Sequence, residues 1–168
     1  MNHGSRSQSR SHSTEARQRA LFALLPLLTL PSLEAAGQTL QNTGSLAFGA
    51  FAAGGGGTIS VSAFGARSKT GSIVLATQGG VPMAAQFLIT GTPGATYTIT
   101  LPADGTVQLS SGASSMALNN FVSSPSGANI PLGGGGTQTI AVGATLTVSA
   151  AQPPGNYSGS FSVTVNYP

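Results

Sequence analysis

The side chains able to do chemistry in this 168-residue sequence are few: six Lys or Arg, three Asp or Glu, two His and no Cys. The most suggestive group is Lys69-Thr70-Gly71, which spells the KTG element of serine penicillin-binding proteins and β-lactamases. That chemistry also requires an SxxK element carrying the nucleophile. Lys69 is the only lysine in the chain, and Ala66 stands where the serine would have to be. Ser68 cannot substitute on a strand, where adjacent side chains point to opposite faces. Asp104 precedes Gly105 and reads as a hairpin-turn residue. It is also the only carboxylate beyond Glu34, which excludes a two-carboxylate glycosidase from that part of the chain. Both histidines, His3 and His12, lie near the start, so the remainder has no imidazole base or metal ligand. Without cysteine there is no thiolate nucleophile, thiolate-held zinc, iron–sulfur cluster or disulfide framework. The expectation is a protein with no catalytic residues, no metal and no cofactor.

Two tetraglycine runs, 54–57 and 133–136, each precede a threonine. A phosphate-cradling loop would need GxGxxG or a following Lys and helix, and neither run has them. They read instead as flexible loops entering strands.

The net charge of +3 and the pI near 10 suggest a nucleic-acid or membrane-surface binder until the charges are located. Arg6, Arg10, Arg17 and Arg19 precede the apolar run at 20–30, which ends at Pro31 before Ala35-Ala36-Gly37. A basic segment, a short apolar core and a small-residue exit outline a signal peptide over residues 1–37. The apolar run is far shorter than the roughly 20 residues of a membrane-spanning helix. Cleavage between Gly37 and Gln38 places Ala35 and Gly37 at the two selected small-residue positions. The chain from Gln38 onward keeps only Arg67, Lys69 and Asp104 as charged side chains. Two neighbouring cations do not make the basic stripe that binding nucleic acid requires. The expected course is export through the inner membrane to the periplasm, then the cell surface or medium.

These residues must be carried by strands. From Thr58 onward apolar residues fall at alternate positions in short runs, the pattern of half-buried strands. Ile59 and Val61, Phe87 and Ile89, Tyr97, Ile99 and Leu101, Val107 and Leu109, Met116 and Leu118, Ile140 and Val142, and Leu146 and Val148 all follow it. The clearest run is the last, with Phe161, Val163, Val165 and Tyr167 on one face and Ser162, Thr164 and Asn166 on the other. Gly79-Gly80, Thr92-Pro93-Gly94, Asp104-Gly105, Ser111-Gly112, Ser124-Pro125-Ser126-Gly127 and Pro153-Pro154-Gly155-Asn156 punctuate the runs with turn chemistry. The pattern predicts an all-β antiparallel sandwich or barrel forming one domain over 46–168, preceded by a short extension at 38–45.

Five ordered segments carry a resemblance. They are 46–51 (LAFGAF), 65–71 (GARSKTG), 96–102 (TYTITLP), 136–146 (GTQTIAVGATL) and 157–167 (YSGSFSVTVNY). Together they resemble the bacterial secreted family called domain of unknown function 4402, itself similar to the spore coat protein U domain and to archaic chaperone-usher pilins. The resemblance spans roughly 46–167. It implies an immunoglobulin-like sandwich lacking its final strand, handed by a periplasmic chaperone to an usher and completed by the N-terminal strand of a neighbouring pilin-like subunit. Strand addition of this kind uses an open sheet edge. Carried onto this chain, Phe161, Val163, Val165 and Tyr167 would flank one side of the acceptor groove. Leu46, Phe48 and Phe51 would flank the other.

A donor strand needs about ten alternating residues at roughly 3.3 Å each, and residues 38–45 offer only Leu40. Either cleavage falls earlier, or the subunit accepts a strand without donating one and sits at a fibre tip, or the domain is self-complete. A self-complete extracellular binding module or adhesin is the alternative, though it would want exposed aromatics, and these mostly occupy inward positions. A small outer-membrane barrel would need strands of about 9 to 11 residues and aromatic girdles, and most runs here are shorter.

Overall fold

A computed structural model of the chain describes residues 37–168; the expected signal segment lies outside them, apart from Gly37. Twelve strands follow one another: β1 (Thr39–Gly44), β2 (Phe51–Ala52), β3 (Gly57–Val61), β4 (Arg67–Lys69), β5 (Val74–Leu75), β6 (Ala85–Thr90), β7 (Thr96–Thr100), β8 (Val107–Ser111), β9 (Ser114–Ser124), β10 (Ile130–Pro131), β11 (Thr137–Val148) and β12 (Thr164–Asn166). There is no helix among the described residues, and every strand pairing is antiparallel. The fold is the all-β antiparallel sandwich that the alternation predicts.

β11 organises the larger sheet. Its residues Ile140, Val142, Ala144, Leu146 and Val148 share one parity and are all buried. The two apolar runs read from the sequence are therefore one twelve-residue strand. Ala141 and Val142 pair with β6 and β9 at once, and Thr145 and Leu146 with β3 and β9 at once. β6 and β3 thus share one edge of β11, first half and second half, while β9 occupies the other edge. β1 extends the sheet beyond β6, β4 beyond β3, and β8 beyond β9.

A smaller sheet of order β10-β7-β12 faces the first, and β2 and β5 form a separate two-stranded pair. Two apolar clusters fill the interior. One gathers Ile59, Val61, Met116, Leu118, Leu146 and Val148; the other gathers Phe87, Ile89, Tyr97, Leu132, Ile140 and Val142.

The segment 38–45, expected as an extension, contains β1, which runs along β6 from Thr39 opposite Thr90 to Gly44 opposite Gln86. Its residues are exposed on both faces, so it carries none of the apolar alternation by which strands are recognised. The tetraglycine runs differ in extent, the second being tightly packed only at Gly136, whose Cβ would meet the Gly91 carbonyl. A side chain at Gly134 or Gly135 would meet open space, whereas one at Gly54 would overlap the Ser72 carbonyl and one at Gly57 the Thr70 carbonyl. The first run is a close crossing of backbones rather than a slack loop.

Gly143 shows the same constraint at the centre of β11, where a Cβ would run into the Val61 carbonyl and the backbone of Ser62 and Ala63. Gly143→Ala is expected to lower stability by about 1–3 kcal/mol, as overpacking does. Gly134→Ala should change it by less than about 0.5 kcal/mol. Urea midpoints of the two variants check the contrast.

Candidate functional site

The three charged side chains among the described residues are all engaged with backbone. Arg67, opening β4, donates from Nη1 to the Phe48 carbonyl at 3.0 Å and from Nη2 to the Ala76 carbonyl at 3.1 Å, holding the chain on either side of β2 and β5. Lys69 donates its ammonium to the Ile73 carbonyl. Thr70 Oγ1 lies 2.8 Å from Thr58 Oγ1, and Gly71 lets the chain pass the Gly56 carbonyl. The KTG tripeptide is thus accounted for, residue by residue, by the β3–β4 hairpin. Asp104 accepts the Asn120 N–H at 2.6 Å, where Asn120 takes a left-handed conformation (φ 48°) at the irregularity in β9. Arg67, Lys69 and Asp104 each tie one stretch of backbone to another. Among the described residues no cluster of three or more His, Cys, Asp or Glu exists that could hold a metal.

What remains as a site is an edge. β12 is the last strand of the small sheet; only Thr164, Val165 and Asn166 pair with β7, opposite Thr100, Ile99 and Thr98. Upstream, Ser158 and Ser110 exchange backbone hydrogen bonds at 2.8 and 3.1 Å. Tyr157 helps to fix the approach, donating to the Pro153 carbonyl at 2.8 Å while Gln152 Nε2 lies 2.9 Å from its hydroxyl. Between Ser158 and Thr164 no backbone hydrogen bond to the described residues holds the chain. A depression of about 350 Å³ opens there, lined by Leu101, Pro102, Val107 and Phe161 among others.

Phe161, Val163, Val165 and Tyr167 alternate inward as expected, yet all four are only half-buried, while inward residues of β6 and β11 are nearly or completely buried. The opposite edge shows the same deficit. Leu40 and Asn42 of β1 lie opposite Ile89 and Phe87, both inward-facing, and so must face inward too. Both are nevertheless exposed. The small sheet ends at β12 and leaves the inner side of β1 uncovered.

The two edges approach each other at both ends, bounding the position of the expected groove. At one end Leu46 and Phe161 each pack against both apolar clusters, with Phe161 6.2 Å from Phe87 and 5.2 Å from Phe121, ring centre to ring centre. At the other end the Tyr167 hydroxyl and Gln38 Cγ approach the same point beside Gly91. β1 therefore runs from the Tyr167 end towards the Phe161 end, opposite in sense to β12.

Of the residues expected to wall this groove, Leu46 and the four of the terminal strand lie along it. Phe48 is in the core at 7% exposure, and Phe51 pairs with Leu75 against the first cluster alone. Leu40 and Asn42 were not legible as wall residues, because the sequence marks β1 by no periodicity. A second concavity, of about 460 Å³, lies at the β3–β4 hairpin, where Phe64 is 86% exposed beside Pro82 and Met83. Phe64 is the one exposed aromatic among the described residues, in keeping with the expectation that few are free.

Two tyrosines of the second cluster titrate abnormally. Burial pushes the Tyr97 phenol up, with charge repulsion from Tyr167 adding to it, and burial raises Tyr167 as well. Tyr97 donates its hydroxyl proton to Gln138 Oε1 at 3.0 Å.

Compared with known proteins, residues 39–167 match the model of a family described as Domain of unknown function (DUF4402). No curated protein and no solved structure matches the chain.

The described residues contain no histidine and a single carboxylate side chain, so their stability is expected to be flat between about pH 5 and 9. A phenol whose folded pKa lies above its unfolded value keeps its proton longer in the folded state. The stability linked to it is fully present below about pH 10 and is lost as pH rises through the folded value. Urea midpoints should accordingly fall above about pH 10, and less steeply in Tyr97→Phe.

Proposed function

The chain belongs to the family of domain of unknown function 4402, and from its unpaired terminal edge we propose that it is a secreted, non-enzymatic structural subunit of the pilus or fimbrial type, completed by a strand from another protein. The observation that carries this reading is the half-burial of Phe161, Val163, Val165 and Tyr167 across a groove from the uncovered inner side of β1. A strand laid along β12 would satisfy its free backbone groups and cover both rows, which is recognition by strand addition. A periplasmic chaperone would fill the groove first. An usher and a neighbouring pilin-like subunit would take over from it.

Residues 39–44 are committed to β6. A chain cut after Gly37 has no free N-terminal segment to donate, which supports an accepting subunit at a fibre tip. The arrangement of apolar side chains also weighs against the outer-membrane barrel. They converge on interior clusters, whereas a lipid-spanning barrel turns them outward.

The alternative, a self-complete binding module or adhesin, is favoured by one observation: Phe64 projects from the β3–β4 hairpin, and Met83, 47% exposed, lines the same concavity. The hairpin is fixed without Phe64's ring, through Ser62 and Ala66. Phe64→Ser should therefore leave the urea midpoint within about 0.5 kcal/mol of the parent. On the adhesin reading it should also abolish retention on glycans or apolar surfaces; unchanged retention would remove that reading.

The test of the main proposal is urea unfolding of the purified protein with and without peptides of about ten alternating apolar residues. A peptide present at a hundredfold excess over its Kd should add about 2.7 kcal/mol. Amides of residues 159–163 should lose their rapid hydrogen exchange at the same time. A cooperatively folded monomer indifferent to every such peptide would mean a self-complete sandwich.

A further inference from the structure

The Tyr167 hydroxyl is the one buried side-chain polar atom without a hydrogen-bond partner among the described residues. Buried polar groups are nearly always paired, so an orphan calls for a physical reason. Tyr167 closes one end of the groove: its ring lies 6.1 Å from that of Tyr97, and its hydroxyl reaches across to Gly91, at the end of β6, beside the start of β1. The Tyr97 hydroxyl already donates its one hydrogen bond to Gln138 Oε1. The other three inward side chains of the terminal strand, Phe161, Val163 and Val165, offer only apolar surface. The terminal-strand wall of the groove is therefore chemically graded, apolar from Phe161 through Val165 with one unspent hydrogen-bond donor at Tyr167, while the facing wall carries the Asn42 amide opposite Phe87, nearer the Phe161 end.

Resting on the strand-acceptor reading, we propose that Tyr167 selects the incoming strand. The partner it fits has apolar residues facing Phe161, Val163 and Val165 and a carbonyl-bearing side chain, asparagine or glutamine, at the position facing Tyr167. The phenol O–H donates to that carbonyl, and the cost of its unpaired burial disappears on binding. A wholly apolar strand leaves the hydroxyl orphaned. Selection then works by leaving the wrong partner with an unpaired group, the most discriminating form of polar recognition.

The experiment uses the full chain and three synthetic ten-residue peptides: one of alternating valine and threonine, and two in which the valine at one or the other end is replaced by asparagine. Affinities are measured by fluorescence anisotropy for the parent protein and for Tyr167→Phe. The expected result is that one of the two asparagine peptides binds the parent about fivefold more tightly than the all-valine peptide, the worth of one neutral hydrogen bond. Tyr167→Phe should reverse the order by binding the all-valine peptide best. The end at which asparagine is favoured also gives the direction of the strand. Equal binding of all three peptides, or a preference that survives Tyr167→Phe, overturns the role of Tyr167 while leaving the groove intact. Binding of none of them to either protein overturns the acceptor reading and this inference with it. Should Tyr167→Phe fold poorly, its urea midpoint would fall below the parent's, which itself contradicts an unpaired hydroxyl.

Discussion

The structure depends on one strand serving three others. β11 pairs with β6 and then β3 along one edge while β9 occupies the opposite edge across its middle. Its inward side chains belong to both apolar clusters, Ile140 and Val142 to one and Ala144, Leu146 and Val148 to the other. The strand can pass between its neighbours only because Gly143 lacks a side chain where the Val61 carbonyl crosses. Backbone pairing, cluster formation and the curl of the larger sheet are consequences of that single placement, and none can be lost without the others.

The smaller sheet has no such centre. β7 holds β10 through two residue pairs and β12 through three, and the terminal segment has one further bridge at Ser158. Proteins usually guard exposed edges with charges, prolines, bulges or very short strands. Here the three charged side chains of the described residues are spent on backbone carbonyls and an N–H well away from both groove edges. β1 has an irregularity near Gly44 and β12 is short, but neither edge carries a charge that would repel a partner strand. An edge without that repulsion, beside half-buried side chains, has the character of an interface.

Much of this was written in the sequence, and the failures share a cause. Alternation located β3, β6, β7, β8, β9 and the terminal strand, because each buries one face and hydrophobicity reports burial. β1 escaped because it buries neither face. β11 read as two runs because Gly143 and Ala144 are too small to register as apolar, although Ala144 keeps the parity of Ile140 and Leu146. The packed role of residues 54–57 was hidden because a glycine at a backbone crossing and a glycine in an open loop look identical until the neighbour is placed. Phe48 looked like a groove residue because walls and core share the same side chains. Its near-complete burial in the first apolar cluster shows on which side of that line it falls.

Fully burying one large apolar side chain contributes about 1.5–3 kcal/mol, so completing the burial of one that is already mostly covered contributes at most about a third of that. Phe161, Val163, Val165 and Leu46 all stand at that intermediate burial around one groove, and a domain's entire net stability is only about 5–15 kcal/mol. Covering all of them would therefore change the stability of this domain by a sizeable fraction of the whole, up to about 2–4 kcal/mol. A surface of that consequence is a folding constraint first: whatever covers these side chains, from within the chain or outside it, adds directly to the stability of the domain.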